Sequence, residues 1–277
     1  MDPKKPWEGA LEPFRVWGNL YFTGGLPASV HIVDTGDGLM LFDCGYQESL
    51  YLILHSMWRL GLNPANIRKI LITHGHIDHC GAAKALRELT GCQLYISAAD
   101  APAVTGKAST DLTYGAEFQM PFLFFEPDVL LRDGDTVTLG NTTVRAVATP
   151  GHTAGTLSYF FNVYDRDRTL RAGLHGGAGV NSLSRGYLTA HGLPFSLRDD
   201  YLASMRRLAN EPVDIYLGNH AAQNHTPRRY RELCAGNPDA FVDPAAWRTF
   251  LAACEKDLHA LLEKEGQELP GKGMEQA

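Results

Sequence analysis

The sequence predicts an α/β protein in which strands and helices alternate along the chain and several strands end in histidine. Three observations carry this. Short apolar runs rich in β-branched and aromatic residues recur between Gly, Pro and Asp, as strands do. Between many of them lie segments whose apolar residues repeat at helical spacing. The chain has 277 residues, 44% of them hydrophobic, enough to bury a large core. No repeat or low-complexity linker divides it. A single domain over 1–277 is expected, built from two similar halves at about 14–108 and 109–265.

Residues 14–25 carry a strand-like run and then Thr23-Gly24-Gly25. Val30-His31-Ile32-Val33 and Leu39-Met40-Leu41-Phe42 flank Thr35-Gly36-Asp37-Gly38. Asp-Gly between two apolar runs predicts a hairpin. Asp43-Cys44-Gly45 ends its second strand. Residues 47–60 show helical spacing through Leu50, Leu52, Leu54, Met57 and Trp58, closed by Gly61. Ile70-Leu71-Ile72 reads as a buried strand, a helix follows at about 81–90 up to Gly91, and residues 93–97 form the next strand. Residues 109–127 lack a clean period but hold Tyr114, Phe118, Met120, Phe122, Phe124 and Phe125. A flap over a pocket and a loop tucking aromatics into the core fit them equally. Strands return at 129–131, 137–139, 143–147, 157–161 and 169–172. Then come a helix at about 197–209, a strand at 213–217, and an amphipathic helix from 244 to 265 carrying Trp247, Leu251, Leu258 and Leu262.

Several functions are disfavoured by composition. The net charge is −6 and acids and bases are interspersed, so nucleic acid is not an expected partner. No apolar run approaches the roughly 20 residues that span a bilayer. The start, Met1-Asp2-Pro3-Lys4-Lys5-Pro6, has no apolar segment behind it and is not a signal peptide. The chain as it stands is expected in the cytoplasm, or in the periplasm or medium if an export signal has been removed. Its five cysteines, an odd number with no CxxC, indicate no disulfide framework. Cys80, directly after His79, suits a small buried residue opening the next helix.

Chemistry concentrates in Thr73-His74-Gly75-His76-Ile77-Asp78-His79, which follows the apolar strand. Neutral imidazole and carboxylate are standard Zn²⁺ ligands. His74 and His76 can turn toward one ion, while Asp78 and His79 are better placed for a second. Two further strand ends deliver His152, after Pro150-Gly151, and His220, after Gly218-Asn219. The glycine-rich run from Gly173 to Gly179 lacks the spacing and lysine of a phosphate loop.

The HxHxDH run at 74–79, Pro150-Gly151-His152-Thr153 and Gly218-Asn219-His220 resemble the metallo-β-lactamase superfamily, with the order of elements agreeing from about 14 to 265. The resemblance implies an αββα sandwich, two mixed β-sheets flanked by helices with the metals at one edge. It implies two Zn²⁺, the first on His74, His76 and His152 and the second on Asp78, His79 and His220, with a bridging hydroxide as nucleophile. Asp78 would also be catalytic, orienting the hydroxide and helping move the proton. Glyoxalase II and the lactonases supply a bridging Asp where this chain reads Ala172-Gly173-Leu174-His175. True metallo-β-lactamases lack that acid, and their third subclass uses the donor set found here. Asp111-Leu112-Thr113-Tyr114-Gly115 and Val213-Asp214-Ile215-Tyr216-Leu217 also look like that subclass. It usually places a serine near the second zinc, where glycine, leucine or His175 stands here.

Other polar residues carry two readings each. His175 could be a group supporting the ligands, a further ligand, a substrate contact or a turn residue. Asn181, Ser182 and Ser184 could bind a substrate carboxylate or amide, though loop polarity explains them equally. His225 suits a surface or supporting role, and His31, His55, His191 and His259 structural or surface ones. The expected function is therefore a dizinc metallohydrolase of a small-molecule substrate, opening a cyclic amide as β-lactamases do. The alternative is hydrolysis of an ester, thioester or lactone. A redox or binding protein on the same fold is the third reading. Diiron relatives of that kind carry Glu at the position of His76, which argues against it.

Overall fold

Two sheets face each other in the computed structural model, which describes residues 2–267. The first contains β1 (Phe14–Trp17), β2 (Leu20–Phe22), β3 (His31–Asp34), β4 (Leu39–Phe42), β5 (Ile67–Leu71), β6 (Gln93–Ser97) and β7 (Val129–Leu131), side by side in chain order. The second runs β12-β11-β10-β9-β8, from β8 (Thr136–Leu139), β9 (Thr142–Ala148), β10 (Leu157–Asp165), β11 (Arg168–Leu174) and β12 (Ile215–Leu217). The helices are α1 (Leu50–Arg59), α2 (Ile77–Cys80), α3 (Ala83–Thr90), α4 (Ala101–Val104), α5 (Gly115–Phe118), α6 (Arg185–Ala190), α7 (Leu197–Leu208), α8 (Thr226–Cys234) and α9 (Pro244–Gln267). Both sheets are mixed: β1 to β4 are antiparallel and β4 to β7 parallel, while β12 alone runs parallel to its neighbour in the second. Parallel neighbours need a crossover, and helices supply it.

Strand alternation builds the layers. On β4, Met40 and Phe42 face the second sheet while Leu39 and Leu41 face α1 and α3, so all four are buried. Phe42 stacks on Phe161 of β10 across the sandwich, centroids 4.5 Å apart. On the far side, Phe160 and Tyr216 turn outward against Trp247 of α9. The result is the expected αββα sandwich.

Some elements differ from expectation. The helix expected at 81–90 is α3, which starts at Ala83, and a separate turn, α2, precedes Gly81. α6 and α8 were not anticipated, being too short or too polar for a clear apolar period. β7 joins the first sheet, so the chain changes sheets between Leu131 and Thr136, later than a division at 108/109. Residues 109–127 form no strand; Tyr114 and Gln119, at φ 65° and 52°, bracket α5. All five cysteines are free. Among the described residues no helix is long and apolar enough to cross a membrane.

Candidate metal centre

Strand ends of both sheets meet at one edge of the sandwich. β5 delivers residues 72–76, and the one-turn α2 behind them presents Asp78 and His79 on the same side. The segment is pinned at each step. Leu157 N donates to Thr73 O, Gly75 N to Asp100 Oδ2, and Ile77 N to Thr113 O. Asp100 also accepts from Gly155 N and the Thr153 hydroxyl, tying the 74–79 loop to the loop that carries His152. His220 follows β12.

These loops gather six donors into two triads. His74, His76 and His152 form one, Asp78, His79 and His220 the other, with ligand atoms within 4.8 Å of one another in each. The planes of the first three rings cross at 79°, 81° and 74°, as three imidazoles aimed at one point would. His76 Nδ1 stands 3.1 Å from His152 Nε2. His79 Nε2 stands 3.3 Å from His220 Nε2 and 3.2 Å from Asp78 Oδ2.

The opposite edge of each ring fixes which nitrogen is bare. His152 Nδ1 donates to Gly179 O at 2.6 Å, His79 Nδ1 to Asp43 Oδ2 at 2.8 Å, and His220 Nδ1 to Pro27 O. Thr73 Oγ1 gives its proton to Asp43 Oδ2, so it accepts from His74 Nδ1 at 3.0 Å. The Nε2 lone pairs of these four histidines therefore point inward. His74 Nε2 is buried with no partner among the described residues. Lone pairs facing each other at about 3 Å repel unless a cation lies between them. The donor set is also one that divalent zinc accepts. The residues fit a two-cation centre.

Electrostatics agree with the geometry. Burial, and then the neighbouring imidazoles, push His74 well below the usual imidazole range, and burial with His152 does the same to His76. Burial lowers His152 to about 4. All three are neutral donors at pH 7. Burial alone would raise Asp78, but His79 and His220 outweigh it and hold the carboxyl below the ordinary carboxylate range. Burial alone would lower His79, yet Asp78 and Asp43 lift it to about 10.

Comparison with known proteins follows this arrangement. The family model for the metallo-beta-lactamase superfamily matches residues 23–220. The chain belongs to the metallo-β-lactamase superfamily. Among solved structures, BJP-1, a subclass B3 metallo-beta-lactamase of Bradyrhizobium japonicum, superposes with a TM-score of 0.86 at 29% identity, covering 96% of this chain and 98% of that one. An uncharacterised protein of Mycobacterium tuberculosis is 38% identical over 134 residues, 46% of this chain and 53% of its own length. A hydroxyacylglutathione hydrolase of Chelativorans sp. is 32% identical over 109 residues, 39% of this chain and 34% of its own length. The chain thus spans about half the length, or less, of the curated relatives it matches. Relatives that it matches over part of their length carry the names of hydrolases.

The remaining candidates lie in different places. Ser182 sits behind His152: its Oγ donates to His152 O at 2.7 Å and lies 3.2 Å from Nδ1. Ser184 accepts from Tyr187 N and caps α6. Asn181 is exposed and donates to the Tyr114 hydroxyl. His175 is not with the gathered donors. Leu174 faces the inter-sheet core, so the next residue faces the helical layer, where His175 is fully buried with its ring against Phe250 and Trp247. That corrects its reading as a ligand or substrate contact.

Sequence reasoning passed over several supports. Asp43 accepts from Thr73 N, Thr73 Oγ1 and His79 Nδ1, and so braces both triads. The glycine-rich run is a cradle: a Cβ on Gly177 would lie 2.5 Å from His152 Cδ2. Both readings of 109–127 hold part of the truth. Tyr114 lies edge-on over His76, centroids 4.5 Å apart, and stacks on Tyr187, while Phe125 fills the helical layer.

Proposed function

We propose that this protein is a dizinc hydrolase that opens a strained cyclic amide of β-lactam type. The observation that carries the reading is the pair of triads with bare ring nitrogens facing inward, with no acid where Leu174 stands buried in the core. His74 Nε2, His76 Nδ1 and His152 Nε2 would hold one cation; Asp78 Oδ2, His79 Nε2 and His220 Nε2 would hold the other. Two cations so placed lower the pKa of water toward neutrality and polarise the scissile carbonyl. Asp78, anionic at neutral pH, helps hold charge and orients the attacking water by accepting its hydrogen bond. Asp43 and Ser182 keep the rings aimed, which is where preorganisation resides. Tyr114 walls the centre beside His76 and helps exclude bulk water.

The relative named hydroxyacylglutathione hydrolase supports a second reading, in which the substrate is a thioester, ester or lactone. Purified zinc-loaded protein assayed on nitrocefin, a carbapenem, an acyl thioester and a lactone separates the two. Lactam turnover that chelator removes and zinc restores is the expected result. Thioester or lactone turnover with inert lactams selects the second reading. No chelator-sensitive turnover of any of the four overturns both.

A further inference from the structure

Three buried polar atoms beside the second triad have no partner among the described residues: Ser29 Oγ, His31 Nδ1 and Asn219 Oδ1. Each of the three residues is 2% exposed or less. They stand where the 27–31 segment runs along the 218–220 loop. Ser29 N donates to Asn219 O at 2.8 Å, His31 Nε2 to Gly218 O at 3.1 Å, and His220 Nδ1 to Pro27 O.

The contacts already made fix what each remaining atom can do. A carbonyl only accepts, so the His31 proton is on Nε2 and Nδ1 keeps a bare lone pair. Burial lowers that ring to about 4, so it is neutral at pH 7. Asn219 Nδ2 donates to Gly176 O at 2.8 Å, which leaves Oδ1 as an acceptor. Two acceptors cannot satisfy each other, and the Ser29 hydroxyl has one proton to give. Leaving all three dry and unpaired is costly, and buried polar groups are normally bonded. The set matches a small neutral group with two protons to donate and a lone pair to receive a third.

We infer that Ser29, His31 and Asn219 together hold one internal water molecule, which pins the loop before His220 to the start of β3. The water donates to His31 Nδ1 and Asn219 Oδ1 and accepts from the Ser29 hydroxyl. Three bonds are usual for a buried water. With the contacts above, the bridge lets the 27–31 segment grip the residues on which His220 rides. His31 is thus a positioning residue for the second triad, whereas the first is braced by Thr73, Gly179 and Ser182. The effect on metal binding rests on the two-cation reading of the centre, but the water does not.

The test is a crystal structure of the zinc-loaded protein together with two variants. A density peak should lie at hydrogen-bond distance from at least two of the three atoms, with no anomalous signal at the zinc edge. No peak, or a peak with that signal, overturns the water. Ser29→Ala supplies a sign. Deleting a hydroxyl that bonds nothing removes an unpaired buried group and raises the urea midpoint, whereas deleting one that holds a water lowers it. A lowered midpoint is expected, and an unchanged or raised one overturns the inference. Competitive chelator titration reads the two zinc equivalents separately. One should loosen about threefold in Ser29→Ala and about tenfold in His31→Leu, which also loses the bond to Gly218 O, while the other keeps the parent value. Equal loosening of both, or of neither, overturns the positioning role. If His31→Leu does not fold, Ser29→Ala decides by itself. Parent protein that takes up no zinc would defeat the two-cation reading, and the density peak and the sign of the Ser29→Ala shift would still decide the water.

Discussion

The two triads are built from the same kinds of loop yet differ in charge and exposure. His74, His76 and His152 are all imidazole and nearly sealed, at 0%, 5% and 8% exposure. Asp78, His79 and His220 include the one carboxylate, and the His220 side chain is 35% exposed. The first triad is thus a set of neutral donors fixed by packing. The second would balance part of a cation's charge and, through His220, is the more open to solvent. Each triad takes one histidine from the loops of the second sheet, His152 or His220, so closing the sandwich completes both.

Removing a donor from either triad is the largest test of that comparison. His76→Ala and Asp78→Ala should each lower kcat/KM on the order of a thousandfold, since several kcal/mol of transition-state stabilisation is at stake. Far-UV circular dichroism should stay native. Metal analysis should show one zinc equivalent lost in each case. Full activity in either variant would falsify the assigned centre, and retention of both equivalents would mean that the triads are not separate sites.

Asp43 is the next largest, because it serves both triads. Asp43→Ala leaves three buried donors, Thr73 N, Thr73 Oγ1 and His79 Nδ1, without their acceptor. Loss of about 2–4 kcal/mol in stability and a ten- to hundredfold fall in zinc affinity should follow. Asp43→Asn should lie between, since its φ of 59° suits Asn while one acceptor oxygen becomes a donor. Denaturant melts and competitive chelator titrations check both numbers. Native affinity in the alanine variant would remove Asp43 from the account.

The contrast between triads and supports also separates what the sequence made legible. Six ring or carboxylate positions follow from local density at 74–79, from His152 after a Pro-Gly turn and from His220 after Gly218-Asn219, because strand ends in an α/β sheet converge at one edge. The alternation of β4 and the Asp-Gly hairpin placed the sheets. Asp43 stayed hidden because its contacts lie 30 and 36 residues away, and Asp-Cys-Gly at a strand end looks like an ordinary turn. Gly177 stayed hidden because a close approach leaves only a missing Cβ as its trace. The position of His175 was readable in principle. Strict alternation with an inward Leu174 sends it to the helical layer, but an expected strand ending at 172 stopped the count too early.

Ser182 supports only the first triad, and its effect should be smaller. Ser182→Ala removes the contacts to His152 O and Nδ1 but leaves the Gly179 carbonyl to hold the ring. Zinc affinity at one equivalent should fall about tenfold, with the other unchanged. Equal loss at both equivalents in the same chelator titration would mean that the two triads do not act as distinct sites.

The smallest effect belongs to a histidine outside both triads. Burial holds His175 at about 3, against an ordinary value near 6.5, so it is neutral in the folded protein. Unfolding exposes it and lets it take a proton. Between those two values the unfolded state binds more protons, so stability is full above about pH 6.5 and declines as pH falls toward the folded value. The limiting slope is about 1.4 kcal/mol per pH unit for one group. His175→Phe keeps an aromatic ring against Phe250 and Trp247 and removes both the titration and the buried Nε2, at the cost of the acceptor that Nδ1 offers Gly177 N. Denaturant melts of parent and variant between pH 4 and 7.5 should diverge as acid increases, the variant keeping more of its stability. Zinc content at pH 7.5 should be equal in both, because the ring touches neither cluster; parallel curves would show that His175 does not titrate on unfolding.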